Sequence, residues 1–390
     1  MADRSALELA AAAGIIRVDQ VGPLYDFLAT GGVASAPPGE EDLRFIRNFH
    51  DVFLAIGIVL FAVGLAVGIG SYASGAGSPQ EGTLIAGGLS LGAAAVMWGL
   101  GELFARRRRL FLPAIAIVCA LTIFVLVGVA LLYVGALLGR SIELSGGPDN
   151  IPPEVRTGIL IACACAFVAP ALFYLRFRLP FSMGLAGGGI AFFTIVSAFL
   201  FGGEATINYL PALYLTLGLL LFIAGVIFDA RDPARVSRYS DNGFWLHFAA
   251  APLVLGGAFG LIAQAFGAKG FEAVAGAGRL VVANATGDES AGAQAVLILL
   301  VVALLGLVSL LINRRVLIVS ALLTTGVAIS VLLNEFGLGA GALASSVLVV
   351  LGGFVLILGA GWHGVRRALL GWVKPEGAWA RIFPPESARE

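Results

Sequence analysis

The chain has 390 residues, of which 59% are hydrophobic and only 12% are charged, whereas soluble domains contain about 45–50% apolar and about 25% charged residues. This composition excludes an ordinary soluble protein and predicts an integral membrane protein. The formal net charge is zero, so we expect no nucleic-acid partner, because binding to a phosphate backbone needs a basic stripe.

The first 40 residues are a polar region that precedes the first long apolar segment. The stretch ALELAAAAGIIRVDQVGPLYDFLAT predicts two short helices that break at Gly14 and again after Thr30, and the linker GGVASAPPGE follows it. The apolar core of a secretion signal would lie within about the first 30 residues. We therefore expect no signal peptide and assign residues 1–40 to a cytosolic helical head and linker.

A further helix is predicted for EEDLRFIRNFHDVF, where Phe45, Phe49 and Phe53 recur at the spacing of one helix face. We expect this helix to lie along the inner membrane interface and to lead into the first span.

Ten segments are long enough to cross a membrane, which takes about 20 mostly apolar residues in a helix. They are residues 52–70, 83–104, 110–138, 156–175, 181–201, 207–228, 243–267, 293–312, 316–333 and 339–362. We predict an all-α bundle of about ten transmembrane helices, with residues 41–365 as the transmembrane domain and 366–390 as a cytosolic tail.

The basic residues predict the orientation of these spans, because Lys and Arg are held on the cytoplasmic side during insertion. With the N-terminus in the cytoplasm, all but four of the 24 basic residues fall on that side. The four on the outer side are Arg140, Arg156, Lys269 and Arg279. Both termini are then cytoplasmic, and the ten spans can divide into two groups of five related as an inverted repeat, as in many transporters.

Three stretches carry a resemblance to known proteins: AAAAGIIRVDQVGPLYDFLA in the head, RFIRNFHDVFLAIGIVL at the first span and DPARVSRYSDNGFWLHFAAAPL at the seventh. They resemble a group of bacterial polytopic membrane proteins described only as domains of unknown function. The resemblance brings no catalytic signature. It implies a multi-pass protein of the bacterial inner membrane.

Each of the three histidines lies at the predicted cytoplasmic end of a span. Together with nearby carboxylates they form a candidate binding layer: His50, His247, His363, Asp51, Glu102 and Asp241, with Asp229 at the same level. Ionisable groups at such positions face a bundle interior, a water-filled cavity or the lipid headgroups. Because histidine changes charge near neutral pH, the layer is a candidate proton relay or divalent-metal site.

A simpler interpretation is that the histidines anchor the helices at the headgroups. The imidazole is amphipathic, and Trp245 and Trp362 lie close to two of the three histidines. Glu102 likewise has a local explanation, since Arg106 lies four residues on and can pair with it.

The seventh span contains Pro252, which lacks an N–H and leaves the carbonyl of Phe248 without its helical partner. Ser240 and His247 are seven residues apart and therefore share a helix face. Interrupted backbone beside a titratable ring is typical of transporter binding cavities, although prolines are also ordinary in membrane helices.

Two further features admit both a functional and a structural interpretation. Glu204, Asn334 and Glu335 lie in short outer loops and form either the mouth of a cation pathway or solvated turns. Glycines spaced by four residues predict close helix packing. These pairs are Gly64 with Gly68, Gly88 with Gly92, Gly135 with Gly139, Gly184 with Gly188, and Gly256 with Gly260.

From these observations we expect a secondary transporter or channel for a small solute, an ion or a proton. The alternative is a membrane scaffold or sensor that binds partners or lipids without transport. The lipid bilayer is the expected partner, and a homo-oligomer is a further candidate. No HExxH or paired-aspartate motif occurs, so we expect neither an enzyme nor a cofactor.

Overall fold

The fold is known from a computed structural model, which describes residues 4–29, 49–138, 151–232, 237–269 and 290–314, and separate positions between 317 and 371. Every element in these ranges is a helix. Spans nine and ten, the interfacial helix before residue 49 and the C-terminal tail fall outside the continuously described residues, so their predictions stay predictions.

The head, described for residues 4–29, is a compact unit by itself. It consists of α1 (Arg4–Ala12), a 3-10 turn and α2 (Val21–Ala29). Gly14 lies between the two helices with a φ of +70°, a left-handed conformation that glycine adopts without steric cost. In the same connection the Arg17 guanidinium hydrogen-bonds Asp19 and lowers the pKa of its carboxyl group.

The described residues of the larger unit form eight long α-helices. They are α3 (Phe49–Ser74), α4 (Pro79–Gly101), α5 (Phe111–Leu138), α6 (Pro153–Phe177), α7 (Pro180–Gly202), α8 (Leu210–Arg231), α9 (Arg238–Ala265) and α10 (Ala291–Ile312). Several begin with a proline in the first turn, where the missing N–H costs no hydrogen bond. A π-helical turn, Glu102–Arg107, continues α4.

The described residues contain seven helices that are long and apolar enough to cross a membrane. One of the seven, Pro180–Arg231, comprises α7, a 3-10 turn (Gly203–Tyr209) and α8, so it covers predicted spans five and six. The expectation of a multi-pass helical membrane protein is therefore confirmed, and α3–α10 coincide with eight of the predicted segments.

Neighbouring helices pack as hairpins in which glycines allow close contact. A Cβ added to Gly87 of α4 would lie 2.8 Å from Leu132 of α5, and one added to Gly218 of α8 would lie 2.7 Å from the backbone of α9. Among the described residues, the predicted glycine pairs are confirmed as contact sites only in part. Gly135 and Gly184 approach a neighbouring helix closely and a Cβ on Gly256 would lie 3.9 Å from Tyr214, whereas Gly64, Gly68, Gly88, Gly92 and Gly188 meet no described atom within 4 Å. A spacing of four residues places two glycines on one face, but only the neighbouring helix decides which face is covered.

The last turns of α4, α6, α8 and α10 lie at one end of the bundle. There the Arg176 side chain of α6 donates to Glu102 at 2.7 Å, and Arg314, just past α10, bonds Asp229 of α8. At the other end Tyr133 donates to the Glu154 carbonyl at 2.8 Å and Gln264 donates to the Asn208 carbonyl at 2.6 Å. The end rich in arginine is the one that the basic residues predict to be cytoplasmic.

Candidate functional site

Three ionisable side chains meet inside the bundle at its arginine-rich end. Relative exposure is 0% for His247, 2% for Arg314 and 8% for Asp229. Ser240, at 4% exposure, completes a set that we call the buried charged cluster. Charged groups are almost never this buried unless they are paired, so the contacts within the cluster decide what it can do.

Asp229 is the centre of the cluster. Arg314 donates from Nε to Asp229 Oδ2 at 3.0 Å and from Nη2 to Oδ1 at 2.5 Å, a bidentate pair. The same Nη2 also donates to the carbonyl and the hydroxyl oxygen of Ser240, both at 2.9 Å. The imidazole Nε2 of His247 lies 3.1 Å from Asp229 Oδ2. One carboxylate thus contacts both basic side chains.

The local sequence explains how the three helices deliver these groups. Asp229 lies in the last turn of α8, while Ser240 and His247 lie two turns apart on α9. The predicted common face of Ser240 and His247 is confirmed, since both side chains are buried in the cluster. After α10, Asn313 adopts a left-handed conformation with a φ of 57°, which Asn tolerates. The Arg314 N–H then donates to the Ser309 carbonyl at 2.9 Å, so the chain turns back and presents Arg314 to α8 and α9.

Two glycines make room for the cluster. A Cβ added to Gly225 would lie 2.8 Å from the Cε1 atom of the His247 ring, and one added to Gly243 would overlap the Asp229 carboxylate. The ring of Phe222 lies 4.9 Å from the imidazole, centroid to centroid. The imidazole is therefore confined between the α8 backbone, an aromatic ring and a carboxylate.

The formal charge of the cluster depends on His247. Asp229 and Arg314 cancel one another, so the cluster is neutral with a neutral imidazole and carries one positive charge with a protonated imidazole. A change of buried charge alters the interaction free energy of the three helices, since unpaired charge is costly away from water. The arrangement can therefore couple uptake of one proton to helix packing.

The structure does not gather the rest of the predicted layer around His247. His50 is exposed at the start of α3, Asp51 is buried on α3, and Asp241 is exposed on α9. Glu102 accepts from Arg106 at 3.1 Å, as its local explanation predicts, and also from Arg176. His363 lies outside the described residues.

His247 does not anchor its helix at the lipid headgroups. An anchoring ring must reach the interface, whereas this ring is fully buried.

The sequence placed Asp229 near the right level of the membrane but did not predict its partners, and it did not indicate Arg314 as a site residue. The only sequence signal was that Asp229 and Arg314 lie directly at the ends of apolar segments. Along the chain, Asp229 is 18 residues from His247 and 85 residues from Arg314.

The structure has an apolar groove at Pro252 rather than the predicted cavity beside His247, which lies on another face of α9. Helix α9 continues through Pro252, and an apolar groove of about 610 Å³ runs between α5, α7 and α9. Trp245, Phe248 and Pro252 line it, whereas His247 does not. Consecutive residues of a helix point about 100° apart, which separates Phe248 from His247.

Two other chemistries find no support in the described part of the chain. No group of three or more His, Cys, Asp or Glu side chains comes together there as a metal site would require. The sequence GLSLG at 88–92 matches the GxSxG pattern, but Ser90 is buried within α4 rather than on the exposed strand-to-helix turn that makes such a serine a nucleophile.

Comparison of the chain with protein-family models, with curated proteins and with solved structures gave no match. The resemblance to bacterial proteins of unknown function therefore stays a prediction, and the geometry of the site alone supports a function.

Proposed function

We propose that the protein is a secondary transporter or channel for a small solute or ion, in which the buried charged cluster is the ion-responsive centre. The observation that carries the proposal is the bidentate pair of Asp229 with Arg314, joined by His247, enclosed by three apolar helices. Ionisable groups inside membrane segments are expensive and most often mark ion pathways or proton relays.

The placement of the cluster supports a moving part rather than a fixed cross-link. The three groups come from α8, α9 and the turn after α10, so a change in the charge of His247 acts on the packing of all three. The paired helices α8 and α9 approach closely through Gly218 and Gly257. A change in their separation would open or close the arginine-rich end of the bundle.

We further propose the membrane arrangement within which this would operate. Ten spans, cytoplasmic termini and a bacterial inner-membrane location rest on the distribution of basic residues and on the sequence resemblance. The division into two inverted groups of five belongs to the same proposal. We propose no enzymatic activity.

The test is flux into liposomes that contain the purified full chain and a trapped pH-sensitive dye. We expect an imposed potential or solute gradient to drive proton or solute movement, and His247→Ala to abolish it without loss of expression or folding. His50→Ala is the matched control, because His50 is exposed at the same predicted level. It should leave the flux unchanged.

Each result bears on a separate part of the proposal. Absence of flux for protons and for a broad panel of solutes would reject transport. Normal flux in His247→Ala would instead keep transport and remove the histidine from the mechanism. Asp229→Asn, which retains a hydrogen-bonding side chain of the same size but loses the charge, should also abolish flux, and its folding is checked separately because it leaves the buried Arg314 without its carboxylate partner.

The scaffold alternative is favoured by a different observation, namely that the head forms a compact unit of its own. A partner protein that co-purifies with the full chain and is lost on deletion of residues 1–40 would support it. Liposomes that remain inert with the full chain would be expected as well.

A further inference from the structure

A second site lies at the arginine-rich end, where the connections α4–α5 and α6–α7 meet the first turn of α9. A cavity of about 530 Å³ opens there. Five arginines line it: Arg106, Arg109, Arg176, Arg178 and Arg238. These residues come from three separate parts of the chain, so the fold rather than a run of basic sequence brings them together.

Within the described part of the chain, the positive charge around the cavity is balanced only in part. Glu102 pairs with Arg106 and Arg176. Among the residues that the structure describes, no carboxylate lies within ion-pair distance of Arg109, Arg178 or Arg238. Five guanidinium groups around one cavity repel each other unless an anion lies between them.

The backbone at two of these arginines adds an independent observation. Arg109 and Arg178 have φ values of 52° and 57°, in the left-handed region that costs a residue other than Gly or Asn about 1–2 kcal/mol. Arg178 ends α6 in this conformation, at a position where glycine is the usual residue. The chain accepts this cost at two of the positions that line the cavity.

We propose that this cavity binds a phosphate group, carried either by an anionic phospholipid or by a soluble phosphorylated molecule. The guanidinium fork matches phosphate oxygens and donates to them in pairs. A water molecule takes up about 30 Å³ in the liquid, so the cavity has room for a phosphate together with its neighbouring headgroup atoms and water. Its position at the predicted cytoplasmic end is the level of lipid phosphates.

The proposal is tested with the full chain purified in an uncharged detergent. The unfolding temperature is followed by tryptophan fluorescence. One arm adds sodium phosphate against sodium chloride at equal ionic strength. The other adds phosphatidylglycerol to the micelles against phosphatidylcholine. We expect one of the phosphate-bearing probes to raise the unfolding temperature by at least about 2–4 °C relative to its control, and the arm that responds identifies the source of the phosphate.

The variant Arg109→Asn with Arg178→Asn separates binding from folding. Asn tolerates the left-handed conformation, so the protein should fold as before while its affinity for the responding probe falls at least about tenfold. The control is Arg107→Asn with Arg108→Asn, which removes the same charge from exposed neighbours that do not line the cavity. It should retain the response.

Two outcomes would overturn the proposal. The first is the absence of a shift in both arms. The second is an equal loss of response in the two double variants, because generic attraction to surface charge would then account for the binding.

Discussion

Replacing Gly225 by alanine probes the packing of the buried charged cluster with a single methyl group. The added Cβ would lie 2.8 Å from Cε1, 2.9 Å from Nδ1 and 3.0 Å from Nε2 of His247. Carbon atoms in contact prefer separations of about 3.5 Å or more, so the ring has to move by about 0.7 Å. Because the ring is fully buried, that movement disturbs its 3.1 Å contact with Asp229.

Overpacking of this kind costs about 1–3 kcal/mol. We therefore expect Gly225→Ala to lower the free energy of unfolding by that amount, measured by titrating the detergent-solubilised protein with SDS while following tryptophan fluorescence. Gly64→Ala on α3 is the matched control, since a Cβ there meets no described atom within 4 Å. It should be neutral or stabilising by up to about 1 kcal/mol, because alanine favours helix.

A double-mutant cycle decides whether the imidazole causes the effect. In a His247→Ala background the obstructing ring is gone, so Gly225→Ala should cost less than about 0.5 kcal/mol. The same cost in both backgrounds would refute the described position of His247 against α8.

Two further predictions concern the ion pair and the topology. Asp229→Asn and Arg314→Gln should each destabilise the protein by about 3–5 kcal/mol, because each removes one partner of the buried guanidinium–carboxylate pair. The double substitution should cost less than the sum, and additive losses of stability would contradict the pairing. Cysteines introduced at Arg235 and at Ala285 should react with a membrane-impermeant maleimide from opposite sides of the membrane, and labelling from the same side would reject the alternating arrangement of spans.

Local sequence signals predicted most of the helices. Each of α3–α10 coincides with an apolar segment, because a membrane helix satisfies its backbone within the segment and depends little on distant partners. Starts such as Pro153 and Pro180 coincide with helix starts for a local reason as well, since proline fixes φ at a helical value. The distribution of arginines also agrees with which helix ends lie together.

The site could be predicted only where its geometry is local. The common face of Ser240 and His247 follows from the helix repeat alone. By contrast, the pairing of Asp229 with Arg314 depends on how α9 packs against both α8 and α10, and periodicity says nothing about that. The same limit applies to the glycines, because their spacing does not show that Gly87 and Gly225 contact neighbouring helices while Gly88 and Gly64 meet no described atom within 4 Å.

His247 and Phe248 are adjacent on α9 but face different surroundings. One residue faces a carboxylate and the other faces an apolar groove, so a displacement of the α9 backbone at one of them moves the other as well. An acyl chain that entered the groove and pushed this part of α9 aside would therefore also alter the 3.1 Å contact between His247 and Asp229.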